Sequence, residues 1–206
     1  MPTIRQLKRR ITSVQNTAKI TNALQLVAAS KMRRAQDRAT HGRPYAEKIQ
    51  SVLSSLASTG DDGEYDEKHP FLIQRPVKNI GILHITPDRG LCGALNSNLN
   101  REAASFVSEI NDPVSMVAVG KKGRDFFLRS ELNMTAEFTE LGDYPALTQT
   151  QTIAKVIMED YLNGLVDKVF ISFGEFINTV NQQPIIRQLL PVIPPEQANE
   201  QTNEQA

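Results

Sequence analysis

The sequence predicts an α/β fold: a Rossmann-like, mostly parallel sheet with helices on both faces, joined to a long projecting N-terminal coiled-coil helix. Three observations predict it. Residues 3–41 contain neither proline nor glycine, and helix-forming residues continue to about Ser58 with only Gly42 and Pro44 as punctuation. From Val77 to Leu190, apolar runs of strand length alternate with amphipathic helical stretches. The charges, 23 basic against 23 acidic, are segregated: residues 1–48 carry eleven basic and two acidic side chains, a net +9 offset by −9 in residues 49–206. A basic arm on an acidic body is an asymmetry that implies a charged partner.

The arm comes first. At 1.5 Å per residue its uninterrupted part is about 60 Å long, whereas a body of about 150 residues has a radius of gyration near 15 Å. So small a body does not cover so long a helix, and the helix is expected to project. Ile4, Leu7, Ile11, Val14 and Ala18 follow alternating spacings of three and four, the seam of a coiled coil. The seam continues through Thr21, Gln25, Ala28, Met32, Ala35 and Ala39, where it becomes small and partly polar. A second apolar face appears at Ile20, Ala23, Leu24 and Val27. At Pro44 the helix is expected either to kink or to give way to a second helix that meets it there. An ordinary bundle helix has the same pattern, but the chain offers no second helix of matching length.

Residues 59–75 read as a solvated acidic linker, with Asp61, Asp62, Glu64, Asp66 and Glu67 set among glycines. The α/β domain, residues 76–191, begins with a strand over Val77–Ile85, a turn at Thr86–Gly90 and a helix over about Ala94–Ile110. A strand at Val114–Val119 leads into a short helix from about Lys122 to Arg129 and a weaker strand at Met134–Phe138. An amphipathic helix covers Thr148–Asn163. A strand from Lys168, extended to Ile177, then pairs with Ile185–Leu190 across Asn181-Gln182-Gln183-Pro184 as an antiparallel hairpin. Residues 192–206 form a polar tail expected to be disordered.

Several function classes fall away. No apolar run reaches the ~18–20 residues that span a bilayer, and the N-terminus lacks the apolar stretch of a secretory signal. Cys92 is the sole cysteine, which fits a reducing, cytoplasm-like compartment. Sheets of this kind bind ligands at the carboxyl ends of their strands. There the sequence offers Asp88-Arg89-Gly90-Leu91-Cys92-Gly93 and Gly120-Lys121-Lys122-Gly123, neither of them a dinucleotide or P-loop motif. The second turn could hold a phosphate at a helix start. Asp88 and Arg89 could act as acid and clamp, but no histidine or carboxylate is placed to join them. His84 reads as a packed strand residue, and Cys92 as a small hydrophobe under the sheet. The basic arm could also bind nucleic acid, although residues 1–44 hold no aromatic side chain for base stacking.

Two longer stretches carry a resemblance. Residues 13–24, Ser-Val-Gln-Asn-Thr-Ala-Lys-Ile-Thr-Asn-Ala-Leu, run into residues 27–36, Val-Ala-Ala-Ser-Lys-Met-Arg-Arg-Ala-Gln. Together they resemble the N-terminal helix of the gamma subunits of rotary proton-translocating ATP synthases. Residues 88–96, Asp-Arg-Gly-Leu-Cys-Gly-Ala-Leu-Asn, resemble that family's second signature, and Arg43–Ala46, Phe176–Thr179 and Gln188–Pro191 are similar to further family segments. The likeness runs in order from Thr3 to Pro191.

This resemblance implies a non-catalytic rotor subunit of the central stalk. Its long helix would pair with a C-terminal helix inside a hexamer of alpha and beta subunits, where rotation couples proton flow to catalytic sites on beta. Expected partners are the alpha, beta and epsilon subunits and the membrane c-ring, with no nucleic acid, no cofactor, no metal and no direct membrane insertion. The expected location is peripheral, on the cytoplasmic face of an energy-transducing membrane, the bacterial plasma membrane. Lys31, Arg33 and Arg34 match basic positions that would face acidic loops of beta, and Leu24 matches an apolar position nearby. The family's C-terminal helix and the dithiol insertion of plant-type subunits have no counterpart in residues 1–206.

Overall fold

The computed structural model describes residues 3–58, 70–130 and 132–192. The acidic linker through residue 69 and the polar tail from residue 193 lie outside the described residues. Contacts divide the chain into two units, Met1–Ser51 and Val52–Ala206.

Helix α1 spans Ile4–Ser58, with Pro44 inside a single element. It starts at a reciprocal cap: the Thr3 N–H donates to Gln6 Oε1 at 3.0 Å, and the Gln6 N–H donates to Thr3 Oγ1 at 3.4 Å. Two N–H groups that the first turn cannot satisfy internally are thereby paired. Thr12, Thr17, Thr21 and Thr40 each donate the side-chain hydroxyl to the carbonyl four residues back. That bond lets a β-branched polar residue sit within a helix.

The α/β unit runs β1 (Ile80–Ile85), α2 (Leu95–Glu109), β2 (Val114–Val119), α3 (Lys121–Phe127), β3 (Asn133–Phe138), α4 (Leu147–Leu162), β4 (Lys168–Phe176) and β5 (Gln182–Leu190). The strands lie in the order β3-β2-β1-β4-β5. The first four are parallel, and β5 closes one edge antiparallel to β4. Strand alternation separates two cores. On one face Leu83, Val117, Val119 and Val169 pack with Ile153, Ile157 and Tyr161 of α4. On the other, Ile80, Ile82 and Met116 pack with Ala103 of α2 and Phe127 of α3. Strands covered on both sides read as continuous apolar runs, whereas β3 is a half-exposed edge, which explains its weak signal.

Three boundaries differ from the sequence reading by three residues or more. β1 begins at Ile80 rather than Val77 because the N–H groups of Lys78 and Asn79 donate to Asp167 Oδ2, at 2.9 and 3.2 Å, instead of to a neighbouring strand. β5 begins at Gln182 because the turn lies earlier: Asn178 Oδ1 accepts the N–H groups of Val180 and Asn181. Pro184 is tolerated inside β5 because an edge strand has a side that needs no donor. Residues 70–75, assigned by sequence to the linker, pack on the unit. Phe71 O accepts the Val192 N–H, Ile73 O accepts the Tyr161 hydroxyl, and Arg75 lies 4.4 Å over the Tyr161 ring while donating to Tyr161 O and Val166 O. Among the described residues no helix is long and apolar enough to cross a membrane.

Candidate partner-binding surface

Every residue of α1 from Ile4 to Ile49 is exposed. The seam keeps its apolar side chains in the open, with Ile4 75%, Ile11 56% and Val14 68% exposed. A second row, Ile20, Leu24, Val27, Lys31 and Arg34, also advances by fours and threes and so occupies one face. Its lower part is apolar, with Leu24 63% exposed, and its upper part is basic. Arg33 sits one residue, about 100°, off this row. The four residues singled out by sequence are thus close along one helix, three of them on a common face.

At the carboxyl ends of the strands, the structure joins the two turns through backbone groups. Asp88 accepts the N–H of Lys121 at 2.9 Å with one carboxylate oxygen and the N–H of Glu140 at 3.0 Å with the other. One side chain after β1 therefore ties down the segments that follow β2 and β3. Lys121 Nζ donates to Glu140 Oε1 at 2.7 Å, which raises the lysine pKa and lowers that of the glutamate. Thr86 Oγ1 donates toward Val119 O and accepts the Gly123 N–H at 2.8 Å. The N–H groups that Gly120–Gly123 could have offered to a phosphate are taken: Gly120 donates to Phe138 O, Lys121 to Asp88, Lys122 to Pro87 O and Gly123 to Thr86. Gly120 has φ +93°, and a Cβ there would lie 1.9 Å from Thr86 O. These contacts, and not an anion, account for the glycines.

His84 is fully buried, as the strand reading expects. Its Nδ1 lies 3.0 Å from Ser172 Oγ and its Nε2 3.0 Å from Asn100 Oδ1. Burial pushes its pKa below the ordinary value, against a smaller opposing effect of the Asn100 bond. Cys92 departs from the sequence reading. It is half-buried in the turn after β1, with Asn96 Nδ2 3.1 Å from its sulfur, and does not pack under the sheet. It lies seven residues beyond the end of β1, between Leu91 and Gly93, whose φ values are +60° and +62°. Thr86 and Glu140 were missed by sequence reasoning because their partners here are backbone groups or residues distant in the chain. An apolar groove of about 590 Å³ runs along the α4 face between Ile85, Val119, Met158 and Leu189.

The profile of a family described as ATP synthase matches residues 3–206. The chain is 51% identical over 196 residues to the ATP synthase gamma chain of Dehalococcoides mccartyi, covering 95% of this chain and 68% of that protein. It is 42% identical over 199 residues to the ATP synthase gamma chain of Desulfitobacterium hafniense, covering 97% and 69%. Among solved structures it is similar to a chain of the Tetrahymena thermophila mitochondrial ATP synthase central stalk and c-ring. That match has a TM-score of 0.61 at 22% identity and covers 84% of this chain and 72% of the other. At that identity the likeness is one of fold.

Proposed function

The chain belongs to the ATP synthase gamma-chain family, and from that premise we infer that it is a central-stalk rotor subunit, coupling proton flow through a membrane ring to conformational change at catalytic sites held by other subunits. The observation that carries this reading is α1: 55 residues of helix, basic, exposed from Ile4 to Ile49 and apolar on two faces. Such a helix is explained by neighbours outside the described residues. Alpha and beta subunits would surround it, with beta offering acidic loops to Lys31, Arg33 and Arg34 and an apolar contact to Leu24. Epsilon and the c-ring would meet the α/β unit, and the assembly would sit peripherally on the cytoplasmic face of the membrane. The fold also supports a subunit without chemistry of its own, because Asp88 is committed to backbone N–H groups.

Co-expression with alpha and beta subunits tests the reading. The chain is expected to co-purify with the alpha–beta assembly, and to do so more tightly when extended by a C-terminal helix from a relative. Failure of both forms to associate would overturn it, as would ATP turnover by the purified chain that is lost in Asp88→Ala.

A further inference from the structure

We infer that His84 is an acid-sensitive latch: as a neutral imidazole it holds α2 and α3 onto the sheet, and protonation opens that face while the α4 face stays closed. The ring touches four elements. It projects from β1, meets Ser172 of β4 and Asn100 of α2 at 3.0 Å each, and stands edge-on to Phe127 of α3 with centroids 5.2 Å apart. Gly123 of α3 lies so close that a Cβ there would fall 2.7 Å from His84 Cδ2. Asn100 carries the link onward by donating Nδ2 to Lys122 O at 3.3 Å.

This network selects one tautomer. With Asn100 Nδ2 directed to Lys122 O, its Oδ1 faces the ring and requires a donor, so the proton is on Nε2. Nδ1 is then bare and accepts the Ser172 hydroxyl. A second proton would place Nδ1–H against Ser172 Oγ, reversing that bond, and leave a cation in a closed pocket without a counter-charge.

The charged groups on the surrounding elements all face elsewhere. On α3, Lys121 pairs with Glu140 and Arg124 with Asp125, while a Cβ on Gly90 would lie 3.9 Å from Lys122 Nζ. On α2, Arg101, Glu102 and Glu109 are exposed. On β4, Lys168 lies over the Phe170 ring and Glu175 pairs with Arg187. Beyond β1, Asp88 is held by backbone N–H groups. The α4-face cluster contains no histidine among its described members.

The sign follows from the lowered pKa. The stability contributed by the neutral ring is complete above the unfolded value, near 6.5, and is lost as pH falls through the folded one. Hydrogen exchange of the full chain, corrected for intrinsic rates, tests this at about pH 7 and pH 5. Protection of α2 and α3 is expected to fall about tenfold or more while α4 keeps its protection, and His84→Gln is expected to abolish the difference. Unchanged protection of α2 and α3, or an equal loss in His84→Gln, would overturn the inference. Should that variant not fold, histidine nitrogen NMR of the unmodified chain decides. An Nε2–H ring that stays neutral until the α2 and α3 signals disappear supports the latch, and a ring titrating near 6.5 in an intact fold refutes it.

Discussion

The Asp88 carboxylate accepts the backbone N–H of Lys121 at 2.9 Å, so the turn after β1 is anchored to the first residue of α3. Its second oxygen serves Glu140, whose φ of +62° is rare for a side-chain-bearing residue. Asp88→Ala leaves two N–H groups without that partner and frees Glu140 to relax. The expected cost is about 1–3 kcal/mol, read as a lower urea midpoint at unchanged slope. Asp88→Asn retains an acceptor and should lose less.

Gly120 and Gly142 separate two reasons for a glycine. Both have positive φ, +93° and +76°, but a Cβ at Gly120 would collide with Thr86 O whereas one at Gly142 meets nothing within 4 Å. Gly142→Ala carries only the left-handed penalty, about 1–2 kcal/mol. Gly120→Ala adds displacement of the β1–β2 backbone contact and should cost at least about 2 kcal/mol more. Thermal unfolding of the two variants side by side checks the order, and equal costs would contradict the close approach.

Leu91 combines φ +60° with complete exposure. Leu91→Gly removes the left-handed strain and surrenders no burial, while adding freedom to the unfolded chain. The sum is unchanged stability or a gain of up to about 1 kcal/mol. A loss of more than about 1 kcal/mol in denaturant titration would contradict the full exposure of Leu91.

The scaffold was legible in the sequence where strands are covered on both faces. Val114–Val119 is apolar at every position except Ser115, and its bounds agree with β2. The boundaries that shifted are those set by side chains reaching from a distance: Asp167 captures Lys78 and Asn79 from 88 or 89 residues away. No local pattern encodes that. The strand-end site was legible as an assembly of glycines and an aspartate, but its use was not. The donors that Asp88 binds are backbone groups, which every non-proline residue carries and which only the fold aims. The α1 seam needed no tertiary information, since its period is written in residues 4–39.

The face of α1 carrying Leu24, Lys31 and Arg34 gives the last prediction, because its two halves should respond differently to salt. Exposed ion pairs contribute about 0–1 kcal/mol each and are screened. Lys31→Glu with Arg34→Glu should therefore weaken association with an alpha–beta assembly about tenfold at low ionic strength, and by much less at about 0.5 M salt. Leu24, now 63% exposed, would gain about 1.5–3 kcal/mol by burial in a partner. Leu24→Asp should thus cost about ten- to a hundredfold at either salt concentration. Binding titrations of the two variants at two ionic strengths distinguish the contributions. If the charge reversals are salt-independent, or if Leu24→Asp binds normally, this face of α1 is not the surface that the partner grips.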